Sequence, residues 1–129
     1  MSGLFVITLI VPTQPEVTFR VALATRFVER CRGLIGRASL PENQGLLLWP
    51  GGSIHTFGMT YPIDALFLDR KLRVLKKQAN LMPSRFSIAP RSTRGTLELA
   101  AGSAKNLPAG VQFQTLPRGV KPCRSQSIR

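Results

Sequence analysis

The stretch Ser53-Ile-His-Thr-Phe-Gly-Met-Thr-Tyr-Pro-Ile-Asp-Ala-Leu-Phe-Leu-Asp69 concentrates the groups able to do chemistry. It holds the single histidine, His55, and Asp64, read as the only acid inside an apolar strand. A carboxylate in such a strand must be ion-paired or hydrogen-bonded, because an unpaired buried charge is strongly unfavourable. Its expected partners are Arg32 or Arg37, backbone N–H groups near Pro62, or His55 itself. Three readings follow. Asp64 anchors a helix to the sheet through an arginine; or His55, Thr56, Met59 and Asp64, with Arg32 as charge partner, wall a pocket for a small ligand or peptide; or His55 and Asp64 form a catalytic pair. The last needs a nucleophile or a metal as third party. Ser53, Thr56 and Cys31 offer hydroxyls and a thiol, but no Gly-x-Ser-x-Gly elbow frames any of them. No catalytic residue is therefore assigned.

No metal is expected either. A closed zinc site wants about four Cys or His ligands, and the sequence supplies three such residues, Cys31, His55 and Cys123, without paired spacing. Gly51-Gly52-Ser53 reads as a tight turn, since no Gly-Lys-Ser/Thr opening a helix follows it. Asp69 reads as a turn residue. Trp49, Phe57, Tyr61 and Phe67 read as core aromatics. No cofactor is expected.

The elements that position these groups follow from hydrophobic periodicity. Val17–Leu23 alternates with period two and predicts a half-buried strand. Phe27, Val28, Cys31, Leu34 and Ile35 then recur at three- and four-residue spacing, with Arg26, Glu29, Arg30, Arg32 and Arg37 between them. That pattern predicts a short amphipathic helix, with Thr25 as N-cap and Gly36 near its end. Gly33 inside it marks close packing or an early end. Further strands are expected over 46–49, 53–59, 63–68, 72–76, 95–99 and 111–116, with 63–76 forming a hairpin. Residues 78–94 show little pattern, and 100–106 would make one helical turn. The fold expected is mainly β: a compact sandwich or barrel-like roll of about seven short strands, with one short amphipathic helix packed on it. Residues 1–16 form an N-terminal strand or loose leader, 17–116 the globular domain, and 117–129 a basic disordered tail.

Composition narrows the function classes. The 129 residues amount to a single domain, and 43% of them are hydrophobic, which excludes a disordered polar chain. The longest apolar stretch, Leu4 to Val11, falls far short of the ~20 residues of a spanning helix. No Lys or Arg precedes it, and Pro12-Thr-Gln-Pro15 follows it, so a signal peptide is not indicated and a cytoplasmic location is expected. Eighteen basic residues against six acidic ones give a net charge of +12. Four of those 18, Arg118, Lys121, Arg124 and Arg129, lie in the acid-free tail. Arg26, Arg30, Arg37, Arg70, Lys71, Arg73, Lys76 and Lys77 form either a solvated basic surface or a weak binding face for nucleic acid or an anionic membrane. No recognised nucleic-acid-binding motif accompanies them.

Taken in order, Arg32-Gly-Leu-Ile-Gly-Arg37, Leu40-Pro41, Gly45-Leu-Leu-Leu48, Ile54-His-Thr-Phe-x-Met59, Pro62-Ile-Asp64, Phe67-Leu-Asp69 and Leu97-Glu-Leu-x-x-Gly102 resemble the domain-of-unknown-function 192 family. The match runs from about Val17 to Phe113 and rests on order and spacing, in a His-Thr-Phe-x-Met form. The resemblance implies a compact, mostly β fold and no established activity. By analogy it suggests an envelope- or pilus-associated role, because members are often exported or encoded near such functions. Its motif positions are Arg32, Gly33, Leu34, His55, Phe57, Met59, Pro62, Asp64 and Glu98, most of them read as fold-defining. Three departures stand out. Gly51-Gly52 replaces a turn that often carries Cys; Thr60 stands where a basic residue is common; and Ala104–Gly110 lacks the usual Gly-Asp. The expected function is a non-enzymatic accessory or ligand- or peptide-binding domain, monomeric, with a small-molecule or protein partner. The alternatives are a hydrolase-like enzyme using His55 and Asp64, and the electrostatic binder above.

Overall fold

The structure, a computed structural model, describes residues 4–116. Phe5–Val11 (β1) and Gln14–Ala24 (β2) form a long antiparallel hairpin, registered from Phe5 opposite Leu23 to Ile10 opposite Thr18. The chain then passes through a short helix, Phe27–Arg32 (α1), to Gln44–Leu48 (β3), which runs parallel to β2. Parallel neighbours require such a crossover. Ile54–His55 (β4), Ile63–Leu68 (β5), Val74–Leu81 (β6), Phe86–Ser87 (β7), Gly95–Ala100 (β8) and Gln114–Thr115 (β9) complete the chain. Seven strands make one sheet in the order β6-β5-β8-β3-β2-β1-β9, and β4 pairs with β7 as a separate ribbon. The sheet curls until its edges are linked by one segment. Gln112 bridges to Arg73 and Phe113 N–H donates to the Leu72 carbonyl at 3.0 Å, while β9 pairs with β1.

Both faces of the sheet are buried. Inside the curl lie Leu9, Phe19, Val21, Leu47, Leu66, Leu97 and Leu99, closed off by Leu107, Val111 and Phe113. Phe19 and Phe113 meet edge to face, with ring centroids 6.1 Å apart. The outer face packs Ala22, Leu46, Leu48, Ala65 and Phe67 against Leu34, Ile54 and Met59. All six residues of β5 are buried, so apart from Asp64 its sequence is an apolar run rather than an alternation.

Five local expectations change. The helix is amphipathic in sequence but does not bury its apolar side: Phe27 is 71% exposed and Val28 75%. The residues that do pack, Leu34 and Ile35, come after its end, because Gly33 leaves the helical region at φ +54°. Its N-cap is Arg26 rather than Thr25, with the Glu29 carboxylate accepting the Arg26 N–H at 3.2 Å. The strand expected over 53–59 reduces to Ile54–His55, since Gly58 turns the chain with φ +84°. Strand β6 starts two residues later than expected and continues to Leu81 through residues that lack pattern. It ends the sheet's strand order, with its middle from Leu75 to Asn80 open to water or half-buried, so no alternation was imposed on it. Ala100 ends β8, and residues 101–106 form consecutive turns closed by bonds between residues three apart rather than a helix. The tail expected over 117–129 lies outside the described residues.

Candidate functional site

Asp64, 1% exposed, lies on the inner face of β5 beside Leu66 and Leu68. Its Oδ1 accepts the Asn80 N–H at 2.8 Å, and its Oδ2 accepts those of Gly102 at 3.0 Å and Ala104 at 2.9 Å. Three backbone donors from two separate segments thus converge on one carboxylate, which ties β6 and the turns after β8 to β5. Among the described residues no arginine takes part. Arg32 Nε donates to the Ile35 carbonyl at 2.9 Å, and Arg37 Nε to that of Gly33 at 3.1 Å. Asp64 is therefore a structural clamp and not a pocket wall, and Arg32 is not its charge partner.

The carboxyl that faces a cleft is Glu98. In the β5–β8 register Ala65 stands opposite Glu98 and Asp64 opposite Leu99. Residues directly opposite in an antiparallel pair share a face, so Glu98 lies on the outer face, across the sheet from Asp64. Its side chain is 4% exposed, and Oε1 receives no hydrogen bond from the described residues. Burial pushes its carboxyl up to about 7, against the opposing pull of the Leu34 backbone N–H. Above it opens a cleft of about 410 Å³ between the Arg30–Ile35 segment on one side and Pro50–His55 with Met59 on the other. Tyr61 fixes the first wall by donating its hydroxyl to the Arg37 carbonyl at 2.9 Å. Burial and the nearby Glu98 carboxyl raise the Tyr61 hydroxyl above its ordinary range.

Of the five residues expected at a ligand site, three reach this cleft: His55, Met59 and Arg32. His55 stands at the rim on β4, exposed, with Nδ1 accepting the Phe57 N–H at 3.3 Å and its ring against Phe57 and Phe86. It is on the other side of the sheet from Asp64, so the proposed catalytic pair does not form. Thr56 is fully buried away from the cleft. Its hydroxyl donates to the Met82 carbonyl at 2.6 Å and accepts the Arg85 N–H at 2.9 Å, which fastens the β4 loop to residues 82–85. Among the described residues no cluster of three or more His, Cys, Asp or Glu is arranged to hold a metal. No helix there is long and apolar enough to cross a membrane.

Glu98 was legible in principle. Leu97-Glu-Leu99 sets an acid between apolar strand residues just as Ile63-Asp-Ala65 does, so Asp64 is not the only acid within an apolar strand. The glycine before Leu34 carries the matching signal. A Cβ on Gly33 would sit 2.9 Å from Glu98 Oε1, at a φ of +54° that side chains avoid. Gly33→Ala is accordingly expected to destabilise the fold by about 2 kcal/mol, measured by urea unfolding. A loss below about 0.5 kcal/mol, the scale of an ordinary surface change, would show that this close approach is unimportant.

A curled β-sheet domain with a short crossover helix, and a cleft floored by a buried carboxyl between them, is the class that fold and site define. The chain belongs to the DUF192 family, described as an uncharacterized ACR, whose model matches residues 9–114. Among curated proteins none matches the sequence. Two solved structures share the fold. A protein of unknown function from Novosphingobium aromaticivorans is 24% identical, with 88% of each chain covered and a TM-score of 0.77. A protein from Sinorhizobium meliloti, provisionally described as a transcription regulator, is 20% identical, with 89% of this chain and 97% of that one covered and a TM-score of 0.76.

Proposed function

We propose that this protein is a non-enzymatic binding domain whose ligand, a small molecule or a peptide segment, enters the cleft above Glu98. The observation that carries this reading is the buried Glu98 carboxyl lining the cleft, whose Oε1 has no hydrogen-bond partner among the described residues. Leaving a buried acceptor unpaired is costly, so such groups call for an explanation, and a ligand donor is the simplest one. The complementary ligand presents an amine, amide or hydroxyl donor to Glu98 and an apolar body to Leu34, Leu48, Ile54 and Met59. Arg30 and Arg32 also line the cleft and, although each donates Nε to a backbone carbonyl, their charge favours an anionic group elsewhere on the ligand.

Benzylamine, with benzyl alcohol as its uncharged match, tests this by amide chemical-shift titration at pH 8. Benzylamine is expected to move the amides of Leu34, Gly52 and Ile54 more strongly than the alcohol, and Glu98→Gln to remove that preference. Shifts that ignore the cleft, or a preference that survives Glu98→Gln, would overturn the assignment.

A further inference from the structure

A second hollow, of about 540 Å³, lies between the β5–β6 turn and the loop that leads into β8. Arg70, Lys71 and Arg73 approach it from the turn, Arg91 and Arg94 from the loop, with the Ser92 hydroxyl among them. We infer that this hollow binds a compact ligand carrying two or more linked phosphate groups.

Three observations carry the inference. The first is charge. Five cations line one concavity with a single carboxylate, Asp69, whose Oδ1 accepts the N–H groups of Lys71 at 2.8 Å and Arg73 at 3.0 Å. The Arg73 and Lys71 amides, and after them the charges of those two side chains, hold its carboxyl below the usual range, so one negative charge stands against five positive ones. The second is availability. Several cations elsewhere on the surface are bound back to the protein, Lys77 Nζ donating to the Ala104 and Leu107 carbonyls, Lys76 Nζ to that of Ile88, and Arg30 Nε to that of Thr25. Arg20, Arg26 and Lys105, by contrast, make no such side-chain bond within the described residues and do not line the hollow. No such bond within the described residues engages the side-chain nitrogens of the five. Like charges gathered in excess over their one acidic neighbour repel one another, and that repulsion is relieved when a multivalent anion enters.

The third is rigidity. Leu72 N–H donates to the Asp69 carbonyl at 3.0 Å, and Gln112 Nε2 to that of Lys71 at 3.0 Å. Arg94 N–H donates to the Leu68 carbonyl at 2.8 Å, and its own carbonyl accepts the Gly51 N–H at 2.8 Å. Both loops are therefore fixed to the sheet before any ligand arrives, and preorganisation lowers the cost of binding. Linked phosphates, whether a soluble polyphosphate or a lipid headgroup, match this set better than one phosphate, which two arginines would saturate. A concavity formed by two short loops admits such a compact group to all five side chains.

Titration of the full chain with inorganic triphosphate, orthophosphate and a mixed-sequence single-stranded oligonucleotide tests the proposal, read by amide shifts. Triphosphate is expected to move the amides of residues 69–73 and 91–94 and to bind at least about tenfold more tightly than orthophosphate. The exposed double variant R91S/R94S is expected to weaken it by roughly tenfold or more, from the loss of charge-assisted hydrogen bonds. The variant's unperturbed spectrum outside these loops reports its folding. Phosphatidylcholine vesicles carrying phosphatidylinositol bisphosphate separate the sources, since capture of the vesicles through the same residues assigns the headgroup and triphosphate binding without capture assigns a soluble ligand. Shifts scattered over Arg20, Arg26 and Lys105 as well, equal affinity for orthophosphate, an unaffected R91S/R94S, or tighter oligonucleotide binding that spreads beyond the hollow would each overturn it.

Discussion

Glu98→Gln is expected to gain stability relative to the unaltered protein as the pH rises from 4 to 8, by about 3 kcal/mol. The folded-state carboxyl sits at about 7 against an ordinary 4.5, and each unit is worth about 1.4 kcal/mol. Because the folded value is the higher one, the folded state holds a proton that the unfolded chain has lost between those two pH values. Stability is thus fully present below about 4.5, falls as the pH rises through 7, and is flat above it. Glutamine does not titrate, so the stability difference between the two proteins, taken from urea unfolding at both pH values, isolates this one group. A difference that stays constant with pH would show that Glu98 is not desolvated in the fold. Because a cationic ligand would recover part of the ionisation cost, the same carboxyl that weakens the free protein at neutral pH would favour its bound state.

Asp64→Ala is expected to cost about 4 kcal/mol, the second large effect. It strands the N–H groups of Asn80, Gly102 and Ala104, and each buried donor left without a partner costs about 1–3 kcal/mol, less where water reaches it. Asp64→Asn keeps one acceptor oxygen and should lose roughly half as much. Urea unfolding measures both, and hydrogen exchange at the three amides reports whether protection is lost together, as a common anchor requires. A cost under about 1 kcal/mol for the alanine variant, the mean for an unremarkable substitution, would remove Asp64 as the clamp.

The two carboxylates show how far local pattern reaches. Ile63–Leu68 was readable as a strand, and Asp64 within it demanded partners on electrostatic grounds alone. That those partners would be backbone amides from residues 80, 102 and 104 was not readable, because they lie 16, 38 and 40 positions away and arrive through the β5–β6 hairpin and the turns after β8. Glu98 carried the same local signature between two leucines. The helix misled for a related reason. Periodicity at Phe27, Val28 and Cys31 describes an apolar stripe, but no element among the described residues covers it, and the chain departs at Gly33 to bring Leu34 over Glu98. Thr56 gave no signal at all, since its hydroxyl is consumed by carbonyl and amide groups 26 and 29 residues away.

By itself the sequence determined a mainly β domain of this family, its principal strands, the existence of a hairpin beginning at residue 63 though not its extent to Leu81, and the requirement that a carboxylate in an apolar strand be satisfied. These depend on periodicity and burial, which act over a few residues. Only the tertiary structure decided which carboxylate is satisfied and which is left open. Side chains alternate between the faces of a strand, so the pairing of Ala65 with Glu98 sends Asp64 inward to its three amides and Glu98 outward to the cleft. A shift of that register by one residue would exchange the two faces, and nothing local to either strand specifies it. The gathering of Arg70, Lys71 and Arg73 with Arg91 and Arg94 was decided the same way, by the hydrogen bonds that bring two loops of the curled sheet side by side.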